Sequence, residues 1–345
     1  MKKYYEFYNI AWSVDFCDGI EKKGICLLAD YFVEANAQEE LDFQTILSNK
    51  KYEHLEEVIR YGKKIVIHSS KKPQVHEEGV ALDDGMVRVI YNFTTQSVYY
   101  INYISGLVYI YNEDIKALSK DYVRVVRDLV KIFMEEKNDA VMLHAAAVEK
   151  NGKGIVLVGP KGSGKTTISL DLLYKHQCAE VSRDRTFLVK EKEKYFILGW
   201  PNYYNLTYRT MYNYDVLKKM LPESYVNMSE KELEAISEKK QYLSDEIGIT
   251  NKKRVAELYE IVFLNNCNSK VELSALDVFA SSCYTPYDRN YIDWFSRCGV
   301  KDKEDKAIEI YTDVISKKNK MVSWDEIDQA VESIISDLNT EGANE

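Results

Sequence analysis

Eight residues constrain this chain more than any others. Gly159-Pro160-Lys161-Gly162-Ser163-Gly164-Lys165-Thr166 fits the pattern G-x-x-x-x-G-K-[ST] at every position. The apolar run Ile155 to Val158 before it reads as a strand. The segment Thr166 to His176 after it lacks proline and sets Ile168, Leu172 and Leu173 on one face, as a helix does. Phosphate oxygens need several amide donors converging from one side, and only glycine lets the backbone curl that closely. The helix start adds its positive dipole end. The pattern therefore predicts a site for a phosphorylated ligand. Lys165 would supply a mobile charge to the β- and γ-phosphates, and the Thr166 hydroxyl would ligate Mg²⁺. Lys161 is either solvated or within reach of a phosphate.

A nucleotide site also needs an acid. The next candidate stretch is Cys178-Ala179-Glu180-Val181-Ser182-Arg183-Asp184-Arg185. Asp184 falls at the end of a short strand expected to return beside the phosphate loop. Its carboxylate can hold Mg²⁺ or take a hydroxyl proton; the plainer reading is a turn aspartate. Arg183 and Arg185 flank it, placed either to pair with it or to contact phosphates.

Composition sets the class. A chain of 345 residues carries a soft expectation of two domains at about 150 residues each. Apolar residues at 46% and charged residues at 29% exclude a disordered chain. The net charge of −9 runs against nucleic acid as a partner. The six cysteines include no C-x-x-C pair, so they read as buried free thiols in a reducing cytoplasm. The N-terminus lacks the apolar stretch of a secretory signal, and no run of 18 apolar residues is present to span a membrane.

The front of the chain reads as β-rich. Val87 to Tyr91, Val98 to Tyr103 and Leu107 to Tyr111 are short β-branched and aromatic runs with polar or glycine breaks between them. Of the chain's 27 tyrosines, most of the excess in this half sits in these runs. They suit half-buried strand faces; a base-stacking platform would need interleaved basic residues, which are missing. The polar stretch Glu39 to Arg60 has room for a helix, and Lys71-Lys72-Pro73 marks a loop. A helix from about Lys120 to Lys137 follows, with one apolar stripe of Val123, Val126, Leu129, Val130 and Phe133. The expected organisation is a β-rich domain over 1–117, a connecting helix over 118–138, and a nucleotide-binding domain over 139–345.

In that last part, Val141 to Val148 and Ile155 to Val158 read as a hairpin closed by Lys150-Asn151-Gly152-Lys153-Gly154. The charged stretch 221–255 reads as a helical insertion, with a capping box at Ser229 and Glu232. Lys239, Lys240 and Arg254 lie in it, on a solvated helix face or closing over phosphates. Leu258 to Leu264 is a strongly apolar strand. Helices are expected at Leu273 to Ser282 and from Ser323, where Glu326 completes a second capping box; residues after Thr340 read as frayed.

Leu143-His144-Ala145-Ala146-Ala147-Val148, the hairpin, Gly159 to Thr167 and Ser182-Arg183-Asp184-Arg185 together resemble HPr kinase/phosphorylase-like proteins. The chain is similar in particular to divergent members found beside peptide natural-product genes, including lasso-peptide tailoring kinases. The resemblance covers about Val141 to Leu188. It continues faintly at Gly199-Trp200-Pro201, Leu258 to Leu264, and Thr285-Pro286-Tyr287 to Trp294, and it leaves out the first 115 residues.

The resemblance implies an α/β fold (α+β overall), with a β-rich N-terminal domain before a P-loop domain of the HPr-kinase/phosphoenolpyruvate-carboxykinase type. It implies transfer of a phosphoryl group from ATP, or another nucleoside triphosphate, with Mg²⁺, to a hydroxyl, often a serine. The acceptor would be a peptide, a protein or a small molecule. Gly159, Pro160, Lys161, Gly162, Ser163, Gly164, Lys165, Thr166, Thr167 and Arg185 would bind the nucleotide, and Thr166 and Asp184 the metal. Asp184, Lys165 and His144 would serve catalysis, though a lone histidine in an alanine-rich strand also suits a structural role. Relatives of this kind are often homo-oligomers. One departure stands out: the HPr enzymes have Asp-Asp where this chain has Arg183-Asp184, and the first Asp is the one assigned proton transfer. Asp184 then serves as base itself, or the chain binds nucleotide without catalysis. A hydrolytic ATPase is a third reading, although Leu258 to Leu264 runs into Asn265-Asn266 rather than acids.

Overall fold

A computed structural model of the chain describes residues 1–20, 22–68, 76–266, 274–285, 294–295, 300–317, 319–324 and 326–339. By packing, the chain divides into two compact units. One comprises Met1–Ala140 and Tyr284–Ala307; the other comprises Val141–Cys283 and Ile308–Glu345.

The first unit contains strands β1 (Lys2–Phe7), β2 (Ile10–Asp15), β3 (Val33–Ala35), β4 (Phe43–Ser48), β5 (Lys63–His68), β6 (Glu77–Asp84), β7 (Val87–Asn92), β8 (Val98–Asn102) and β9 (Leu107–Tyr111). Helices α1 (Lys22–Ala29), α2 (Leu55–Tyr61) and α3 (Ile115–Lys137) accompany them. The strands form one sheet in the order β3-β1-β2-β4-β9-β8-β7-β6-β5. Pairs β2–β4 and β4–β9 are parallel and the rest antiparallel. Turn chemistry sets the register of the last hairpins. Asn92 Oδ1 accepts from the amides of Thr94 and Thr95, and Asn102 Oδ1 accepts from those of Ile104 and Ser105. These are short asparagine-led turns of the kind that tie consecutive strands together.

Strand alternation then sorts side chains to two faces. Ile90, Tyr99 and Ile110 align across β7, β8 and β9 and are fully buried. On the opposite face Tyr91, Val98 and Tyr111 form one cross-strand row, and Val89, Tyr100 and Tyr109 form the next. α3 buries Leu118, Tyr122, Val125, Val126, Leu129 and Phe133. Phe133 stacks on Phe43 with ring centroids 5.6 Å apart. Asp114 caps this helix, accepting from the Lys116 amide at 2.8 Å. Trp294 completes the core: its ring meets Tyr99 edge-on, and its indole N–H donates to Asp128 at 2.8 Å. Burial pushes the Asp128 carboxyl up to about 6.

The second unit contains β10 (Val141–Leu143), β11 (Ala145–Lys150), β12 (Lys153–Val158), β13 (Ala179–Ser182), β14 (Thr186–Glu191), β15 (Lys194–Gly199), β16 (Tyr204–Thr207), β17 (Lys239–Tyr242), β18 (Val255–Asn266) and β19 (Asn319–Trp324). Its helices are α4 (Lys165–His176), α5 (Tyr208–Tyr212), α6 (Asp215–Lys218), α7 (Glu230–Glu234), α8 (Ala275–Ser282) and α10 (Ile327–Asn339); α9 (Val300–Lys317) begins in the first unit and ends in this one. The main sheet runs β10-β14-β15-β18-β12-β11-β13, with β19 on β18. β18 is the long central strand, parallel to β12 and to β19 and antiparallel to β15. Ile155, Leu157, Ile168, Leu172, Val262 and Ile334 are in its core. The molecule is thus a mixed α/β protein with a β-rich N-terminal region. No helix among the described residues is long and apolar enough to cross a membrane.

Several sequence expectations shift in detail. The run Val141 to Val148 is two strands, because His144 breaks the ladder and its amide donates to Ser282 O at 2.6 Å. The charged stretch 221–255 is not a helical insertion. It holds α7, two 3-10 turns and β17, because apolar anchors such as Leu233 and Ile247 are too few to seat a long helix. Its capping box does form, with Ser229 accepting from the Glu232 amide and Glu232 from that of Ser229. Ser323 does not start a helix. Pairing with β18 draws it into β19, and α10 starts at Ile327. Of the four described cysteines, Cys178 is buried, Cys26 is exposed and Cys17 and Cys283 lie between; all are free thiols. Cys267, Cys298, the Lys71-Lys72-Pro73 loop, Leu273, Pro286-Tyr287 and the residues from Thr340 on lie outside the described residues.

Candidate functional site

β12 delivers the chain to the glycine-rich loop. Gly159 admits no side chain: an added Cβ would fall 2.8 Å from Leu264 O on β18 and against Ser163. Gly162 and Gly164 take φ values of +88° and +87°, the left-handed region that favours glycine. Gly164 sits at the start of α4, so the helix begins with no side-chain cap and its first amides face the loop. The other end is closed by Gln177 in the left-handed conformation, with Lys175 and His176 in the last turn.

A cavity of about 340 Å³ opens above this loop. Lys161, Gly162, Ser163, Gly164, Lys165, Thr166 and Thr167 form one wall, while His144, Arg183, Asp184 and Lys239 contribute from elsewhere in the same unit. Gly159, Pro160 and Arg185 are not among its lining residues. Lys165 Nζ donates to the Gly159 carbonyl at 2.6 Å and to the Pro160 carbonyl at 3.2 Å, so it closes back on its own loop. Burial, aided by the charge of Lys239 and opposed by Asp184, pushes its ammonium down to about 8. Ser163 Oγ is buried with no hydrogen-bond partner among the described residues. A buried hydroxyl without a partner costs free energy unless a ligand or water satisfies it.

The acid side is built by β13 and the turn after it. The Asp184 carbonyl accepts from the Ala145 amide at 3.1 Å, which ties this turn to β11 beside the hairpin. Asn202 Nδ2 donates to Asp184 Oδ2 at 2.6 Å, and His144 Nε2 lies 3.8 Å from Asp184 Oδ1. Arg185 Nε is 4.0 Å from Asp184 Oδ2. About a third of the Asp184 side chain remains exposed, so it is anchored yet accessible. Asn202 was not singled out in the sequence. Its place after Gly199-Trp200-Pro201 signals a turn, but nothing local connects it to Asp184.

Arg183 has a different task. Its side chain is wholly buried, its guanidinium lies 3.2 Å from Glu180 and 5.2 Å from the centre of the Tyr204 ring. Glu180 also accepts from the hydroxyls of Tyr204 and Ser244. The arginine is therefore held in a buried ion pair, where removal of either partner strands the other.

The sequence leaves Lys239 either on a solvated helix face or closing over phosphates. It lies on β17, paired through Thr207 to β16, and this two-stranded ribbon carries it to the cavity. The alternation of the ribbon was not visible in so charged a stretch. The cavity thus gathers three lysines around one aspartate, while the charge of Arg183 is met by Glu180. An ensemble of that sign favours a polyanion.

Thr166 and Asp184 bring oxygen donors to one cavity, the chemistry that a divalent cation takes. Mg²⁺ is held by one or two protein oxygens plus phosphate oxygens and water, and Thr166 and Asp184 are of that kind. Among the described residues no group of three or more His, Cys, Asp or Glu side chains converges as a metal cage.

No family model matches this chain, and no curated protein matches it. Solved structures do match, among them the Hpr(Ser) kinase/phosphatase from Coxiella burnetii, at 15% identity over 39% of this chain and 64% of that one, with a TM-score of 0.25. The likeness is weak and partial. The chain spans just under two thirds of the length of that structure.

Proposed function

We propose that the protein is a Mg²⁺-dependent phosphotransferase of the HPr-kinase-like class that moves the γ-phosphoryl group of ATP to a hydroxyl, serine in the first instance, on a peptide, protein or small molecule. The observation that carries this reading is the cavity in which the glycine-rich loop, Lys165 and Thr166 meet Asp184 and His144. On this reading the amides of Gly162 to Thr167 hold the β- and γ-phosphates, and Lys165 leaves the Gly159 and Pro160 carbonyls to follow them. Thr166 and Asp184 would hold the metal ion, whose charge would offset that on the transferring group. Asp184, with Oδ2 anchored by Asn202, takes the hydroxyl proton through Oδ1. The acceptor oxygen bonds to the γ-phosphorus as the bond from that phosphorus to the β–γ bridging oxygen breaks, and ADP departs. Arg185 supports the charge on Asp184 rather than contacting phosphate. The β-rich unit recognises the acceptor, and the setting is cytoplasmic, with a second copy of the chain as a possible partner.

A second reading draws on Arg183. It occupies the position of the family's first aspartate and is locked to Glu180. A chain with one acid where two are usual can bind nucleotide and signal its presence without transferring phosphate. Incubation with Mg-ATP labelled at the γ-position and a cell extract, followed by mass spectrometry of labelled species, separates the two. Phosphorylated acceptor that disappears with Lys165→Ala supports transfer. ATP binding with no labelled acceptor supports the regulatory reading, and steady hydrolysis without acceptor supports an ATPase. Failure to bind ATP at all defeats all three.

A further inference from the structure

Three tyrosines of the first unit, Tyr52, Tyr91 and Tyr111, line a second cavity, of about 300 Å³, remote in the sequence from the glycine-rich loop. Its floor is the cross-strand row Tyr91, Val98 and Tyr111 on the face of the sheet opposite Tyr99. Tyr52 closes one side, its ring 5.2 Å from that of Tyr111, and Leu55 at the start of α2 closes another. The aromatic surface continues outward, since Tyr111 stacks on Tyr109 at 5.7 Å and Tyr109 meets Tyr100 at 6.0 Å. Burial raises the hydroxyls of Tyr52 and Tyr111 above their ordinary range.

We propose that this cavity binds an aromatic amino-acid unit, its ring seated among the tyrosines and its charged ends at the rim. Two features select that chemistry. First, much of the polar capacity near the floor is already committed. Asn112 Nδ2 donates to Thr95 O at 2.8 Å and to Ser97 Oγ at 2.7 Å, while its Oδ1 accepts from the Asp114 amide at 2.8 Å. Asp114 Oδ1 in turn caps α3. With Asn112 so committed, the floor offers a ligand chiefly the faces and edges of Tyr52, Tyr91 and Tyr111, and an aromatic ring finds them at stacking distance. Second, the rim carries both signs of charge. Lys50 and Lys51 are exposed, as is Glu113, and none has an ion-pair partner among the described residues. A carboxylate and an ammonium on one ligand answer to both. A nucleic-acid strand would need a longer track of cations than two lysines. The volume is that of a small-ligand pocket.

The two sources of such a unit are a free aromatic amino acid and an aromatic residue within a peptide. The proposal is independent of the nucleotide site. Calorimetry on the full chain, in turn with L-tryptophan, L-tyrosine, uncharged N-acetyl-tryptophanamide, glucose and a short peptide carrying Trp-Asp, tests it. Saturable binding of L-tryptophan, L-tyrosine or the peptide is expected, with N-acetyl-tryptophanamide at least about ten-fold weaker because it lacks both charges. Tighter binding of the free amino acids identifies a small-molecule site; tighter binding of the peptide identifies a polypeptide. Tyr111→Ala should lose about ten-fold or more, and Tyr111→Phe, which keeps the ring, should restore binding. Lys50→Glu with Lys51→Glu should weaken ligands that carry a carboxylate and leave N-acetyl-tryptophanamide unchanged. Absence of saturable binding by every aromatic ligand, preference for glucose, or wild-type affinity in a folded Tyr111→Ala protein overturns the proposal.

Discussion

The two cavities are built on opposite principles. The one above β12 is built around a backbone turn: glycines remove side chains so that amides can face inward, and lysines, hydroxyls, His144 and Asp184 line the rest. The one on the β7–β9 face is made by side chains: tyrosine rings project from a regular sheet whose backbone is fully occupied in the ladder. A backbone cradle depends on single atoms, because one added carbon at Gly159 meets Leu264 O. A ring-lined cavity depends on area, which several residues share. The first should therefore fail abruptly on mutation and the second gradually.

Substitutions can break that contrast or sharpen it. Arg183→Ala is expected to have the largest effect, about 3–5 kcal/mol of stability, because it strands a buried Glu180 carboxylate. Denaturant unfolding would measure the loss, and hydrogen exchange should place it in the strands around β13 while the β7–β9 face stays protected. Lys165→Ala should lower phosphotransfer about 100-fold or more, in line with removal of one preorganised charge; binding of an aromatic ligand to the first unit should not change. Gly159→Ala should cost about 1–3 kcal/mol through overpacking and abolish nucleotide binding as well. Equal tolerance of Gly159→Ala and Tyr91→Ala would remove the contrast. Lys239→Gln should weaken nucleotide affinity only about three- to ten-fold, since a partly solvated charge acts through screened attraction.

The pH dependence completes the series. Lys165 in the free protein titrates at about 8, so it is mostly charged below that value and mostly neutral above it. A polyanion favours the charged form. Affinity for ATP should be full below about pH 8 and fall as pH rises through that value, with uptake of a proton on binding. Calorimetry at about pH 8.5 in buffers of different ionisation enthalpy would report the proton, and Lys165→Met should abolish it.

Much of this was legible in the sequence, and the reasons it stopped are physical. The strands at Val87, Val98 and Leu107 and the helix α3 announce themselves through period and turn residues, because each is stabilised largely by local pattern. The conformation of the glycine-rich turn before α4 was readable because it demands particular residues at fixed offsets. Asn202 was not, and neither was the strand that carries Lys239, because long-range pairing alone brings them to Asp184 and the cavity. The same holds for Ser323, whose capping signal is overridden by the parallel ladder with β18. Tyrosine content pointed to strands but not to a cavity. Which face each ring takes follows from register, and register is fixed only once the sheet is assembled.

The first unit is stitched from two stretches of chain, Met1–Ala140 and Tyr284–Ala307, and Trp294 of the later stretch is packed on Tyr99 of the earlier one. During synthesis its nine strands and α3 emerge first, yet the ribosome must make residues 141–283 before that tryptophan becomes available. For that interval the nascent unit holds an incomplete core, with Tyr99 and Asp128 still awaiting their partner. The order of translation thus makes the early half of the protein wait for the late half.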